Sequence, residues 1–327
     1  MTDVMLTGGT GLLGNAIAKI LLAEGRTVRV LVRSPDRAVH IVPAGCELVA
    51  GDITDASSVA RATDGCRVVY HAAGLPEQWL KDVREFERVN VQGTRNVVGA
   101  ARSAGVERFV YASTIDVFRF GAPGEPFDES ELDPAPKATA YERSKQEADR
   151  IVTAALAEGL PAVFLHPSGI YGPGPLTSPG TNHLLADLVL GKVPMLLPGA
   201  IPVVFSEDVA RGHVLAEKVA PVGARYILSE STHSLTAIAQ AVKRATGRSK
   251  VPLVMPTMLA RLVAEVGEMV SAVTGRPPLL PKGQLQFLQY GAVPSGARAV
   301  RELGWRPRPF ARGLEETLAF LREQGRI

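Results

Sequence analysis

Tyr141 and Lys145 stand four residues apart in the run Tyr141-Glu142-Arg143-Ser144-Lys145, a spacing that puts both side chains on one face of a helix. A free phenol, with a pKa of about 10, is a poor base at neutral pH. A nearby ammonium favours the phenolate and lowers that value, so the pair is a credible general acid/base. Two further hydroxyls, Ser113 and Thr114, close the apolar run that begins at Val110 and reads as the end of a strand. In an open α/β sheet the ligand crevice lies beyond the carboxyl ends of the strands. Alone, Tyr-x-x-x-Lys is a common pair on helix surfaces; its weight comes from the residues found with it.

The first of these are glycines. Thr7-Gly8-Gly9-Thr10-Gly11-Leu12-Leu13-Gly14 follows a strand-like start and opens a helical stretch. Gly8 permits a tight turn, Gly11 lets a pyrophosphate approach the backbone, and Gly14 lets the helix pack close to the strand. The helix N-terminus then offers free N–H groups and a positive dipole end to phosphates. Strand, turn and helix in this order are the context that the glycine spacing requires. An acid at the end of the second strand would hold ribose hydroxyls. Here Val28-Arg29-Val30-Leu31-Val32-Arg33-Ser34 ends on Arg33, with Arg37 just beyond. A guanidinium there suits a 2′-phosphate, so NADP(H) is the expected cofactor, with NAD(H) possible.

Alternating elements must position these groups. Strands are expected at Asp3–Thr7, Thr27–Arg33, Glu47–Ala50, Arg67–Ala72, Glu107–Ser113 and Pro161–His166. Helices are expected at Leu12–Glu24, Ser57–Thr63, Val83–Ala104 and Ala140–Glu158, with Gly25, Gly65, Gly105 and Gly159 as stops. Such alternation means a parallel sheet with helices on both faces. The second half is less regular. A helix is expected around Asn182–Leu190, and Ile201–Phe205 and Arg225–Leu228 could rejoin the sheet. Helices at Leu235–Thr246 and Leu314–Gln324 follow, and Gly121–Pro136 is expected to be a mobile loop near the site.

Composition excludes several classes. The 36 Lys and Arg against 33 Asp and Glu leave +3, without a run of five like charges, which argues against nucleic acid as a partner. Two cysteines, Cys46 and Cys66, cannot build a disulfide framework or a four-cysteine zinc site, so no metal is expected. A start without a signal peptide and with reduced thiols fits a cytoplasmic protein. The most apolar long stretch, Val251–Gly275, carries Arg261, Glu265 and Glu268 on one helical face. It reads as an amphipathic surface helix, with a hydrophobic lid or membrane-surface contact as the sharper alternative, and not as a transmembrane span.

With these residues in place the chain resembles the extended short-chain dehydrogenase/reductase family, also called the NAD-dependent epimerase/dehydratase family. The resemblance runs over nearly the whole chain: TGGTGLLG (7–14), GDITD (51–55), HAAG (71–74), NVQGTRN (90–96), VYASTIDVF (110–118), YERSK (141–145), HPSGIYGPG (166–174), FSEDVARGHVLA (205–216) and ELGWRPRPF (302–310). It implies a Rossmann-type doubly wound parallel sheet with a smaller, mostly helical C-terminal substrate domain. Residues 1–168, rejoined by 201–230, would bind the dinucleotide; 169–200 and 231–327 would bind a small-molecule substrate.

The resemblance also implies roles. Gly8, Gly11 and Gly14 with Thr10, Leu12 and Leu13 would border the pyrophosphate, and Asp52 and Ile53 the adenine. Ala72, Ala73 and Gly74 would line the cofactor, Asn90 would help hold it, and Ser113, Pro167 and Ser168 would lie near its nicotinamide end. Thr114, Tyr141 and Lys145 would be catalytic, Lys145 also holding the ribose. The family further implies a homodimer packed through Val83–Ala104 and Ala140–Glu158.

Two departures matter. His166 replaces the usual Arg or Asn, and it reads first as a satisfied buried histidine. The sugar-nucleotide 4,6-dehydratases carry Asp-Glu directly after the catalytic threonine; here Ile115 and Asp116 stand there, which argues against that dehydration. The Ser-Thr-Ile-Asp-Val segment is most similar to the 3β-hydroxysteroid dehydrogenase and dihydroflavonol reductase branch, which handles apolar alcohols and ketones. Interconversion of an alcohol and a ketone or aldehyde is therefore the expected activity. A nucleotide-sugar epimerase that retains NAD and a non-catalytic dinucleotide sensor are the alternatives. The arginine argument is checked by comparing turnover at equal NADPH and NADH: NADPH is expected to be preferred, and a strong NADH preference would sink it.

Overall fold

The computed structural model describes residues 2–77, 79–175, 180–247 and 250–327. All six strands expected in the first half form, and a seventh joins them. The sheet order is Arg225–Leu228, Ala162–Pro167, Arg108–Ala112, Val68–His71, Val4–Thr7, Val28–Val32, Glu47–Ala50. Every pairing is parallel. Strand order reverses on either side of Val4–Thr7, which is where a doubly wound sheet opens its crevice.

Side-chain alternation explains the layers. Val4 and Leu6 point to one face, where they meet Ile17 and Leu21 of the helix Leu12–Ala23; Met5 points to the other, with Val97 and Ala101 of Gly93–Ser103 and Ala148 and Val152 of Ala140–Ala157. Each fully buried aliphatic side chain contributes roughly 1.5–3 kcal/mol. The helices Gly93–Ser103 and Ala140–Ala157 turn their apolar residues to the sheet. Their outer faces carry Arg95, Arg102, Arg143 and Arg150.

The expected helix Val83–Ala104 is interrupted. It runs as Arg84–Phe86, a π-helical turn over Glu87–Gln92, then Gly93–Ser103. The Thr94 hydroxyl donates to the Asn90 carbonyl at 2.6 Å, competing for an oxygen that a regular α-turn reserves for a backbone N–H. Turns of this kind recur where a helix must aim a residue inward. Asn90 is that residue, and it is buried.

The second half differs from expectation at one strand. Arg225–Leu228 rejoins the main sheet beside Ala162–Pro167. The segment expected as Ile201–Phe205 does not: Ala200–Phe205 is the middle strand of a separate three-stranded sheet with Ser231–Ser234 and Gly169–Tyr171. Apolar alternation specifies a strand but not which sheet receives it. The following helix, Ser206–Val219, returns to the main sheet and packs Val209, Ala210 and Val214 into the layer of Leu12–Ala23.

The helices Thr181–Val189, Leu235–Thr246 and Phe310–Glu323 enclose a core around Leu185, Ile238, Phe205 and Leu314. Within Gly169–Ala200, residues 176–179 lie outside the described residues.

Two further expectations are adjusted. The segment 121–136 is pinned: Pro126–Phe127 pairs with Val293–Pro294, and the Tyr290 hydroxyl donates to the Gly121 carbonyl. The run Val251–Gly275 holds the helix Thr257–Thr274, which buries Ala260 and Ala264 against Leu280 and Leu285. It exposes Met258, Leu262, Met269 and Val273 beside its charges, so its amphipathicity is incomplete. Among the described residues no helix is long and apolar enough to cross a membrane.

One ion cluster ties the late chain to the early sheet. The Arg308 guanidinium bonds Asp208, Glu207 and Glu316 at 2.5–3.2 Å and lies over the Phe205 ring. Beside it, Trp305 Nε1 donates to the Asp208 carbonyl at 2.7 Å. Arg308→Met is expected to destabilise by about 3 kcal/mol, because the buried Asp208 loses its cation; urea unfolding midpoints measure this.

Candidate active site

The carboxyl ends of Val4–Thr7, Val68–His71, Arg108–Ala112 and Ala162–Pro167 gather the residues singled out from sequence. At the first end, Gly8 takes φ +77°, and a Cβ there would lie 2.7 Å from the Ala72 and Ala73 backbone. A Cβ on Gly14 would collide with the Gly8 carbonyl. These two glycines therefore bring turn, helix and neighbouring strand together. Gly11 has a different part. It is the N-cap of Leu12–Ala23, and no side chain caps that helix. The first N–H groups of a helix have no intrahelical partner, so the turn presents backbone donors that an anion would satisfy.

Arg33 and Arg37 are exposed at the end of Val28–Val32, and neither guanidinium has a hydrogen-bond or ion-pair partner among the described residues. Asp52 accepts from Thr54 N–H at 2.9 Å. The Ile53 carbonyl accepts from Asn96 Nδ2 at 2.8 Å, and the Ile53 side chain packs where Gly93 has no Cβ.

A buried hydrogen-bond chain holds the next segment. Ala73 N–H donates to Thr7 Oγ1 (3.2 Å), and Thr7 Oγ1 contacts His71 Nδ1 (2.8 Å). His71 Nε2 contacts Thr94 Oγ1 (3.0 Å), whose proton goes to the Asn90 carbonyl. Thr94 must therefore accept from Nε2–H, and Nδ1 must accept from Thr7. Burial supports this neutral ring by pushing the His71 pKa down to about 3, with the Lys145 charge adding to the shift. The Asn90 amide then accepts from Leu75 N–H (2.7 Å) and donates to Ser144 Oγ (2.9 Å) and Leu75 O (3.3 Å). Asn90 thus grips protein through both atoms of its amide.

Tyr141 and Lys145 sit in the first turns of Ala140–Ala157. A Thr139–Glu142 capping box starts that helix, a device worth about 1 kcal/mol. Lys145 Nζ is buried and donates to the Ala112 carbonyl at 3.1 Å, 5.2 Å from the Tyr111 ring centre. Burial pushes its pKa down to about 8, against the pull of Asp149 and Asp116. Tyr141 packs edge-on against Phe86, with the Thr114 hydroxyl close enough to influence its phenol. Its pKa departs from the sequence expectation. Burial first, then the Asp116 carboxyl, raise the phenol above its ordinary value, and the Thr114 hydroxyl opposes them. Lys145 is not among the groups that lower it.

The Ser113 hydroxyl donates to Asp149 Oδ2 at 2.7 Å. Asp149 is ion-paired with Arg225 at 2.8 Å. Arg225 also approaches His166 Nε2 at 3.3 Å. A guanidinium only donates, so Nε2 accepts and Nδ1–H donates to the Thr114 carbonyl at 3.1 Å. His166 is the satisfied buried histidine expected, neutral because burial lowers its pKa to about 3, and it fixes the Thr114 backbone. Asp149 and Arg225 were missed from sequence. Asp149 carried a signal, one further step of four along the face of Tyr141 and Lys145. Arg225, on a strand added late in the chain, carried none.

Pro167 ends its strand, and the next residue, Ser168, has a buried hydroxyl with no partner. That orphan, the uncapped helix and the two unpartnered arginines fit a dinucleotide. Lys145 Nζ has protons left to donate after its bond to Ala112.

Comparisons with known proteins agree. The profile of the NAD dependent epimerase/dehydratase family matches residues 4–227. A putative dihydroflavonol 4-reductase of Synechocystis is 29% identical, covering 98% of this chain and 95% of its own. Sterol demethylase protein B of Methylococcus capsulatus is 27% identical, covering 99% of each. The crystal structure of gox2253 is 28% identical and superposes over the full length of both chains with a TM-score of 0.87.

The Lys145 shift has a stability consequence. Below about pH 8 the lysine is charged in both the folded and unfolded states, and the folded state carries the penalty. The penalty fades as pH rises from about 8 towards 10.5, where the unfolded lysine also deprotonates. The stability gained by Lys145→Met is therefore expected to be about 2–3 kcal/mol larger at pH 7 than at pH 10, read from urea unfolding at the two pH values.

Proposed function

The chain belongs to the NAD dependent epimerase/dehydratase family, and we propose that within it the protein interconverts a ketone or aldehyde and the matching alcohol on a small apolar substrate, with NADP(H) preferred. The observation that carries this is the gathering of Thr114, Tyr141 and the buried Lys145 at the strand ends next to an uncapped glycine turn. A bound nicotinamide supplies or accepts the hydride. The chain does the rest. Gly8, Gly11 and Gly14 with Thr10, Leu12 and Leu13 hold the pyrophosphate, and Arg33 and Arg37 the 2′-phosphate. Asp52, Ile53, Ala72, Ala73 and Gly74 border the dinucleotide, and the Ser168 hydroxyl takes a polar group at its nicotinamide end. Thr114 orients the substrate oxygen. Tyr141 gives that oxygen a proton in reduction and takes it back in oxidation. Lys145 would bind the ribose, and its positive charge would favour a phenolate brought near it.

An apolar substrate is supported by the relatives named for dihydroflavonol and sterol chemistry. Between Gly169 and Ala200, Lys192 is the sole Lys or Arg, which counts weakly against a nucleotide-sugar pyrophosphate and leaves Arg211, Arg225 and Arg261 as the cations to grip one. The test is a screen of hydrophobic ketones and alcohols with NADPH or NADP, followed at the nicotinamide absorbance band. Purified protein carrying tightly held NAD and interconverting sugar epimers would overturn the reading. Tyr141→Phe is expected to lower turnover by about 10²–10⁴, with steady-state kinetics as the measurement; near-normal activity would remove Tyr141 from the mechanism.

A further inference from the structure

Asp116 is a buried acid that the mechanism above does not use. It follows Thr114 by two residues, in the short 3₁₀ turn Ile115–Val117. Its Oδ2 accepts from Thr114 Oγ1 at 2.8 Å, and its own N–H donates to the same hydroxyl at 3.3 Å. Its Oδ1 is buried with no partner among the described residues. Among the described residues no cation pairs with it. Lys137 is ion-paired with Asp133 at 2.9 Å and bonds the Phe118 carbonyl, and Lys145 bonds the Ala112 carbonyl. A buried carboxyl without a cation, with one oxygen unpartnered and the other on a hydroxyl, is built to exist in both protonation states.

A hydroxyl has one proton to give. When Asp116 is ionised it can only accept, so the Thr114 proton points to it and Thr114 Oγ1 can accept from Tyr141. Both hydroxyls then face into the protein. When Asp116 is protonated it can donate to Thr114, which frees the Thr114 proton for Tyr141 or the substrate and the Tyr141 proton for the substrate. We propose that Asp116 is the proton reservoir behind Tyr141, exchanging a proton with the phenol through the Thr114 hydroxyl and so setting whether the pair donates to a carbonyl or accepts from an alcohol.

This rests on the ketone–alcohol reading. In reduction the carbonyl carbon gains a hydride from a reduced nicotinamide, and the C=O π pair becomes the oxygen lone pair that takes the Tyr141 proton. The Tyr141 oxygen takes the Thr114 proton, and the Thr114 oxygen takes the Asp116 proton. Asp116 is left as a carboxylate, to be reprotonated from solvent; the carbonyl is reduced and the nicotinamide oxidised. Oxidation of an alcohol runs the same transfers backwards.

The groups facing Asp116 agree with this part. Burial raises its pKa to about 6, and Glu142, from the capping box of the facing helix, adds to the rise. The Thr114 bond and the charges of Lys137 and Lys145 oppose it. Asp116 acts through Thr114, which makes it a positioning residue rather than a catalytic one.

The test has a spectroscopic and a kinetic arm. In cofactor-free protein, infrared difference spectra should show a protonated carboxyl that ionises around pH 6 and is absent from Asp116→Asn. The Tyr141 phenol, isolated by subtracting Tyr141→Phe in ultraviolet titration, should ionise at lower pH in Asp116→Asn, because a neighbouring negative charge is gone. With substrate, Asp116→Asn should lose the wild-type pH dependence near pH 6 and lower kcat for carbonyl reduction by about tenfold or more, with the cofactor KM unchanged. Asp116→Glu should restore a titrating limb.

A carboxyl already ionised well below pH 6, or an Asp116→Asn profile that matches wild type, overturns the proposal. If Asp116→Asn does not fold, the wild-type infrared titration and Asp116→Glu decide. If wild type turns over no carbonyl compound or alcohol, the ketone–alcohol reading fails, and with it the catalytic part given to Asp116; the infrared and phenol titrations still decide whether the two groups share a proton.

Discussion

Three segments distant in sequence meet at the Asn90 side chain: the loop at Leu75, the π-turn itself, and the helix that carries Tyr141, reached through Ser144. Through Thr94 and His71 the same chain of bonds reaches Thr7, at the foot of the glycine turn. Every member is buried or partly buried and has a proton to give or receive. A network of this kind is rigid when complete and costly when broken. It sets the distance between the glycine turn and the helix that carries Tyr141 and Lys145, so displacing one of its members shifts both at once.

Charge burial follows a second pattern. Strand ends and helix starts converge on Lys145, Asp149 and Asp116, and each is treated differently. Asp149 has a guanidinium and a hydroxyl. Lys145 has a backbone carbonyl, and Asp116 has a hydroxyl alone. The graded treatment explains the graded response. Asp149 is held in its charged form, chiefly by Arg225 against its burial, while the pKa values of Lys145 and Asp116 are drawn towards neutrality. In the proposed chemistry a proton must move, and the two groups with weak partners lie closest to Thr114 and Tyr141 in the chain.

Much of this was legible in the sequence because local patterns encode it. The six strands, the helix stops and the glycine turn follow from periodicity and from positive φ at Gly8, Gly25, Gly65, Gly105 and Gly159. Spacing placed Tyr141 and Lys145 on one helix face, and strand-end position offered Ser113 and Thr114 as the hydroxyls near them, without choosing between the two. What stayed hidden was long-range. Ala200–Phe205 has the same alternation whichever sheet it enters. Ser113 and Thr114 are adjacent, and strand alternation sends their hydroxyls to different partners, a choice that Asp149 and Arg225 decide from elsewhere in the chain. The direction of the Tyr141 shift depends on depth of burial and on Glu142 and Asp116, which spacing alone does not weigh.

The helix Ser206–Val219 and the edge strand Arg225–Leu228 complete a sheet begun two hundred residues earlier. During synthesis, the face of Leu12–Ala23 and the open edge of Ala162–Pro167 therefore wait for chain not yet made. Until they are covered they are apolar surface and an unpaired strand edge, the two features that draw nascent chains into aggregates. Folding of the first half of the chain is thus tied to the arrival of the second, and the sheet closes late, through contacts of long sequence separation.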